Sequence, residues 1–159
     1  MSDFQATQEI SINASPETVF GIISDFTRHK ELAGLGELVN VQTLTDGPIG
    51  LGSMIEADEA VQMGDNTIEL STKSVVVGFN SPNNLSWIVV PPFPMRRVQW
   101  WFRLTQQGDT TTLVHEVEVD LGEAAEQFGG VETFIAGRGA ALATGMQKTL
   151  ENVKHAAEK

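Results

Sequence analysis

From residue 4 to 13 the chain alternates, with Phe4, Ala6, Gln8, Ile10 and Ile12 on one side and Gln5, Thr7, Glu9 and Ser11 on the other. A period of two is that of a half-buried β-strand. The period then changes. Ser15 is a good N-cap, Pro16 suits the first helical position, and Val19, Phe20, Ile22, Ile23 and Phe26 recur at three and four. This predicts a helix over 16–25. A short second helical turn is expected over 27–32, after which Gly34 and Gly36 release the chain into strand signals.

Six further strand-like runs follow, at 39–44, 53–63, 67–79, 85–90, 98–106 and 111–121. They are divided by turn residues at 46–52, 64–66, 80–84, 91–94 and 108–109. Consecutive strands with short connections predict an antiparallel meander. Helical period returns over 131–157, where Ile135, Gly139, Leu142, Met146, Leu150 and Val153 are spaced by three or four. A helix of roughly 25 residues is about 37 Å long, enough to cross a sheet. A curved sheet cannot leave its apolar face in water, so this helix must cover it. The expectation is one α+β domain over residues 1–159, with about seven antiparallel strands wrapped around a long C-terminal helix and two short helices after the first strand.

Composition narrows the classes of function. The 159 residues include 10 basic and 21 acidic side chains, a net charge of −11 that repels nucleic acid and anionic membranes. There is no cysteine, which excludes disulfides, thiolate catalysis and cysteine metal sites and fits a reducing compartment. The opening MSDFQATQE lacks the basic and apolar regions of a signal peptide, and no run approaches the ~18 apolar residues of a membrane span. A cytoplasmic protein without membrane insertion is expected.

The opening ISINASPETVFGIISDFTRHKELAG, the GPIGLGS loop, the strand VHEVEVDLG and the closing helix ending MQKTLENVKHAAE together resemble the START-like superfamily of helix-grip proteins. Within it they are most similar to the SRPBCC polyketide-cyclase/dehydrase and lipid-transport group, and the resemblance covers nearly the whole chain. Leu32 stands where the family often has an aromatic residue. The resemblance implies a deep cavity between sheet and long helix, holding an apolar or amphipathic small molecule. It also places GPIGLGS near the cavity mouth. None of these pieces is a catalytic signature, and family members include carriers, sensors and cyclases.

The candidate site residues follow from parity and composition. Gly137, Gly139 and Gly145 each cost about 1 kcal/mol in a helix interior. They serve either close approach of the helix backbone to the sheet or room for a ligand, and Gly139, with Leu142 and Met146 on the same helix, is taken as lining the cavity. Trp100 and Phe102 face inward with Val98 and Leu104. Trp87 lies on a strand apolar on both faces. The segment SWIVVPPFPMRRVQWWF puts Phe93 in a Pro-rich connection, as a lid, an oligomer contact or a plug of the core. His115 shares its face with Leu113, Val117 and Val119, and Glu59 shares its face with Ile55, Ala57 and Val61. An inward Glu needs a partner, for which His115 and Arg138 are the candidates. A Glu59–His115 pair in an apolar cavity would have the chemistry for proton transfer.

The histidines His29, His115 and His155 lie on separate elements without metal-ligand spacing, and the loop GPIGLGS lacks the Lys and the following helix of a phosphate cradle. No metal and no cofactor are expected. Three readings stay open. The first is binding of a hydrophobic or aromatic small molecule by a carrier, sensor or sequestering protein, as monomer or homodimer. The second is a cyclase, dehydratase or isomerase acting on a carbonyl substrate through Glu59 and His115. The third is an interaction protein whose core is filled by its own side chains.

Overall fold

The period-two stretches form one antiparallel sheet. A computed structural model of the chain describes residues 2–63, 65–92 and 94–159. Gly64 of the expected turn and Phe93 of the Pro-rich loop lie outside the described residues. The strands are β1 (Phe4–Ile12), β2 (Leu38–Thr43), β3 (Met54–Met63), β4 (Asn66–Asn80), β5 (Asn84–Val90), β6 (Arg97–Gln107) and β7 (Thr110–Asp120). Their spatial order is β1-β7-β6-β5-β4-β3-β2. Strands β2 to β7 are thus a meander, and β1 joins beside the last of them, in register from Phe4↔Val119 to Ile12↔Thr111.

Alternation fixes which face is inside. On β7, Thr111, Leu113, His115, Val117 and Val119 are buried while their neighbours are not. On β4 the register shifts between Val76 and Gly78. This bulge lets Val76 and Phe79, three residues apart, both reach the core, and such a bulge bends a strand that would otherwise run straight for 15 residues.

Helix α1 (Pro16–Ile23) begins where expected because the Ser15 hydroxyl accepts a hydrogen bond from the Thr18 N–H at 3.2 Å. Val19, Phe20, Ile22 and Ile23 bury its apolar face. The second short helix is a 3-10 turn, Phe26–Arg28, running into one α-turn, α2 (His29–Leu32). Asp25 starts it, its carboxylate accepting from the Thr27 N–H. A further 3-10 segment, Gly122–Phe128, precedes the closing helix and has no counterpart in the expected order of elements. The closing helix is also less regular than its spacing implies. It consists of α3 (Val131–Phe134), a π-helical segment (Ile135–Gly139) and α4 (Ala140–Ala157). The widened turn falls on IAGRG, where two glycines weaken the preference for α-geometry.

The closing helix lies against the inner face of the sheet, and the core divides into two clusters. One gathers Ile12, Val19, Phe20, Ile23, Leu113, Leu150 and Val153. The other gathers Val117, Val119, Leu121, Phe134 and Met146. The Gly47–Ser53 loop contributes Ile49 to the first cluster, and its Gly52 N–H donates to the Val76 carbonyl at 2.8 Å.

Helix and short-helix segment meet at glycine. A Cβ on Gly34 would collide with the Gly145 carbonyl and the Cβ of Lys148, whereas one on Gly137 would meet nothing within 4 Å. Gly34→Ala is therefore expected to lower the unfolding free energy by about 3 kcal/mol, through overpacking against backbone. Gly137→Ala should raise it by up to about 1 kcal/mol through helix propensity. Urea denaturation of the two variants checks the contrast, and a Gly34→Ala protein as stable as its parent would show that the close approach is not made.

Candidate functional site

Between the concave face of the sheet and the helices is a cavity of about 600 Å³. Small-molecule sites occupy roughly 300–1,000 Å³, whereas close-packed interiors hold few voids larger than a water molecule. A core filled by its own side chains, the third sequence reading, is not what this chain builds. Most of the lining is apolar.

One wall is aromatic, and the strand register explains it. Trp87 on β5 pairs with Trp100 on β6, and Phe102 on β6 pairs with His115 on β7. Same-face neighbours on adjacent strands stack: Trp87 and Trp100 at 6.4 Å, Trp100 and His115 at 5.1 Å, Phe102 and His115 at 4.1 Å. From the helical side Phe26 and His29 close against Trp87, with ring centroids at 5.2 and 5.6 Å.

Both imidazoles in this wall are tied to main chain. His115 Nδ1 lies 3.0 Å from the Trp101 carbonyl oxygen, and His29 Nε2 lies 2.7 Å from that of Ile23. A carbonyl only accepts, so each of these nitrogens carries a proton. Burial pushes the His115 imidazole down to about 4, and the nearby His29 adds to this, against the opposing pull of the Trp101 bond. Burial likewise lowers His29, against its bond to Ile23 and the charge of Asp25. His115 is neutral at pH 7.

The charged groups gather on another part of the lining. Arg138, in the π-segment, donates to both carboxylate oxygens of Glu37 at 2.8 and 2.6 Å, a bidentate pair with both side chains largely buried. Glu37 Oε2 also accepts from the Gln62 N–H at 3.0 Å. Glu59 accepts from the Thr72 hydroxyl at 2.9 Å. Burial raises the Glu59 carboxyl above its usual range and the charge of Glu37 raises it further, while Thr72 and Arg138 pull it down.

The residues singled out in the sequence are placed as follows. Trp87, Trp100, Phe102, Leu142 and Met146 line the cavity, as do Glu59 and His115. Glu59 and His115 are not brought into a hydrogen-bonded pair: three strands, β4 to β6, lie between theirs, and each bonds elsewhere. Arg138, the other candidate partner for Glu59, acts on it by charge while its own hydrogen bonds go to Glu37. Gly139 is not among the lining residues, because the space its Cβ would take is filled by the Phe4 ring, 2.7 Å away. Gly145 does border the cavity, with Leu35 where its own side chain would be. Pro91, Pro92 and Met95 line it from the Pro-rich loop, whose Phe93 is outside the described residues. The GPIGLGS loop contributes no lining residue among those described. His29 and Glu37 were not candidates for the lining. His29 sits on a single helical turn too short to show a period, and Glu37 follows Gly36, whose φ of 68° turns the chain.

Among the described residues no group of three or more His, Cys, Asp or Glu side chains is placed to hold a metal ion. Among the described residues no helix is long and apolar enough to cross a membrane.

A curved sheet gripping a long helix around an apolar cavity defines a helix-grip protein. The family described as polyketide cyclase / dehydrase and lipid transport matches residues 3–158, and the chain belongs to it. No curated protein matches the sequence. Among solved structures, the KanY protein is similar with a TM-score of 0.71 at 19% identity, over 100% of both chains. The di-domain ARO/CYC BexL from the BE-7585A biosynthetic pathway is similar with a TM-score of 0.71 at 21% identity, over 98% of this chain and 50% of that one. A START superfamily protein from Mycobacterium smegmatis gives a TM-score of 0.64 at 15% identity, over 97% of both chains. At these identities the likeness is one of fold.

Two pH effects with opposite signs follow. Between pH 6.5 and about 4 the unfolded chain binds a proton at His115 that the folded chain does not. The stability contributed by neutral His115 is whole above pH 6.5 and is lost as pH falls through that window, by about 3 kcal/mol. His115→Phe should flatten the slope of unfolding free energy there by about one proton. For Glu59 the folded state holds its proton to higher pH than the unfolded chain, so its contribution is greatest below pH 4.5 and declines as pH rises. Glu59→Gln should gain stability relative to the parent as pH is raised from 4.5 to 7. Urea denaturation across pH measures both, and a Glu59→Gln difference independent of pH would mean that the fold does not raise the Glu59 carboxyl.

Proposed function

We propose that this chain binds a flat, largely apolar small molecule in the cavity, as a carrier, sensor or sequestering protein. The observation that carries the reading is the cavity of about 600 Å³ with stacked rings along one wall. A flat ligand gains both burial and ring contact there. Trp87, Trp100, Phe102, Leu142 and Met146 would supply the apolar contacts, with Glu59 and His115 as polar points. A shared fold with the ARO/CYC BexL and the START protein is compatible with this reading. The alternative of proton exchange between Glu59 and His115 draws no support from their separate hydrogen bonds. The net charge of −11 argues for a partner that is a small molecule rather than nucleic acid, and the absence of cysteine fits a cytoplasmic setting. Monomer and homodimer are both consistent with a cavity complete within one chain.

The test uses N-phenyl-1-naphthylamine, a neutral probe whose emission rises on leaving water. The protein should bind it and quench in its own Trp emission, with a smaller quench in Trp100→Phe. Leu142→Trp, which fills the cavity from the helix, should weaken binding at least tenfold while the far-ultraviolet circular dichroism is kept. Unaltered probe affinity in a folded Leu142→Trp protein would place the binding outside the cavity.

A further inference from the structure

The aromatic wall holds a polar atom whose chemistry is already decided. His115 lies flat between Trp100 and Phe102, 4% exposed, with Nδ1 directed at the Trp101 carbonyl in the sheet. The two nitrogens of an imidazole point away from one another. With Nδ1 aimed at the sheet, Nε2 aims off it, into the cavity that His115 lines. No described group bonds Nε2, yet among the described residues no fully buried side-chain nitrogen or oxygen lacks a partner. Nε2 is therefore open to the cavity.

Its protonation follows from its twin. The proton is on Nδ1, donated to a carbonyl, so the neutral ring presents a lone pair at Nε2 and can only accept there. His29 has the same logic, its Nε2 donating to Ile23 and its Nδ1 left as an acceptor. Among the described lining residues the one Lys or Arg is Arg138, and its guanidinium is already bonded to both oxygens of Glu37 rather than free to compensate an anion.

We infer that the cavity selects aromatic ligands that carry a neutral hydroxyl, which donates a hydrogen bond to His115 Nε2 while the ring lies along the aromatic wall. A ligand whose only polar atom there is a carbonyl or ether oxygen would bring two acceptors face to face and leave both unpaired. A phenol loses nothing on entering, since its proton finds a partner. The inference rests on the binding function proposed above and names the ligand chemistry of that site.

The experiment displaces N-phenyl-1-naphthylamine with 2-naphthol or with 2-methoxynaphthalene, which has the same ring and an oxygen that can only accept. In the parent protein 2-naphthol should bind about tenfold tighter or more, the effect of one made against one unmade buried hydrogen bond. His115→Phe keeps a flat ring but no acceptor, and should reduce that ratio about tenfold. Nitrogen NMR of the imidazoles supplies a reading that needs no variant: His115 should be protonated at Nδ1 alone, and 2-naphthol but not 2-methoxynaphthalene should shift its Nε2 resonance. Equal affinities in the parent, a ratio unchanged in folded His115→Phe, or an Nε2 resonance indifferent to 2-naphthol would each overturn the inference while leaving the binding function standing. Failure of N-phenyl-1-naphthylamine itself to bind would remove both.

Discussion

The cavity depends on how the closing helix is held. On one flank the Gly34–Leu35 segment packs so closely against Gly145 that neither glycine has room for a side chain, and about two turns earlier in the helix Arg138 grips Glu37 with two hydrogen bonds. On the other flank Gly139 sits against the Phe4 ring of β1. These contacts reach toward the two edge strands, β2 and β1, and so span the sheet. A helix held at both sides packs on β1 and β7, and the inner face of the strands beyond them is left to line the cavity. The π-segment belongs to this arrangement, since its widened turn carries both Arg138 and Gly139. A buried ion pair is weak evidence for stability, because desolvation offsets much of the attraction. Its geometric consequence is firmer: losing either partner would leave an uncompensated charge and release one flank of the helix.

That same pair sets the charge inside the cavity. Because both carboxylate oxygens of Glu37 occupy the Arg138 guanidinium, Glu59 has a hydroxyl rather than a cation as its direct partner, and burial raises its carboxyl above the usual range. The histidines, bonded to backbone carbonyls, are held toward the neutral form by burial. A protein with a net charge of −11 thus encloses a lining in which the charges of Arg138 and Glu37 are paired and Thr72, His29 and His115 are hydrogen-bonding points. Selection in such a space comes from donor and acceptor placement and from ring contact. Long-range attraction has little part in it.

The period of two made much of this legible. Strand parity alone puts Trp100, Phe102, His115 and Glu59 on inner faces, and the alternation survives in β3, β6 and β7 because the β3–β4 and β6–β7 pairings run without a register shift and the irregularity between β2 and β3 places its extra residue on β2. What parity does not contain is order across the sheet, and so the partner of Glu59 is Thr72 on the adjacent β4 rather than a residue on β7. Glycine has a similar ambiguity. Gly137, Gly139 and Gly145 look alike in a helical pattern, yet one faces open space and the other two face Phe4 and Leu35, residues more than a hundred positions away. Close approach is a property of the pair, and the second member is set by tertiary packing. The π-segment was hidden for a different reason, since a single widened turn is too short to establish any period.

The tethering of His115 bears on whether the cavity binds or catalyses. A general base must reach the proton it removes and have a pKa near the working pH. His115 meets neither condition well. Its Nδ1 bond to the Trp101 carbonyl and the parallel rings of Trp100 and Phe102 fix the plane and the direction of its free nitrogen, so it cannot turn toward Glu59. At about 4, its basicity is too low to take a proton from a weak carbon or oxygen acid near neutrality. The features that make it a poor base make it a good orienting group. A rigid, neutral acceptor keeps its lone pair at one place in the cavity and gives up little freedom when a donor arrives. Burial that depresses basicity also removes competing water, so the bond it does make is stronger than the same bond at the surface.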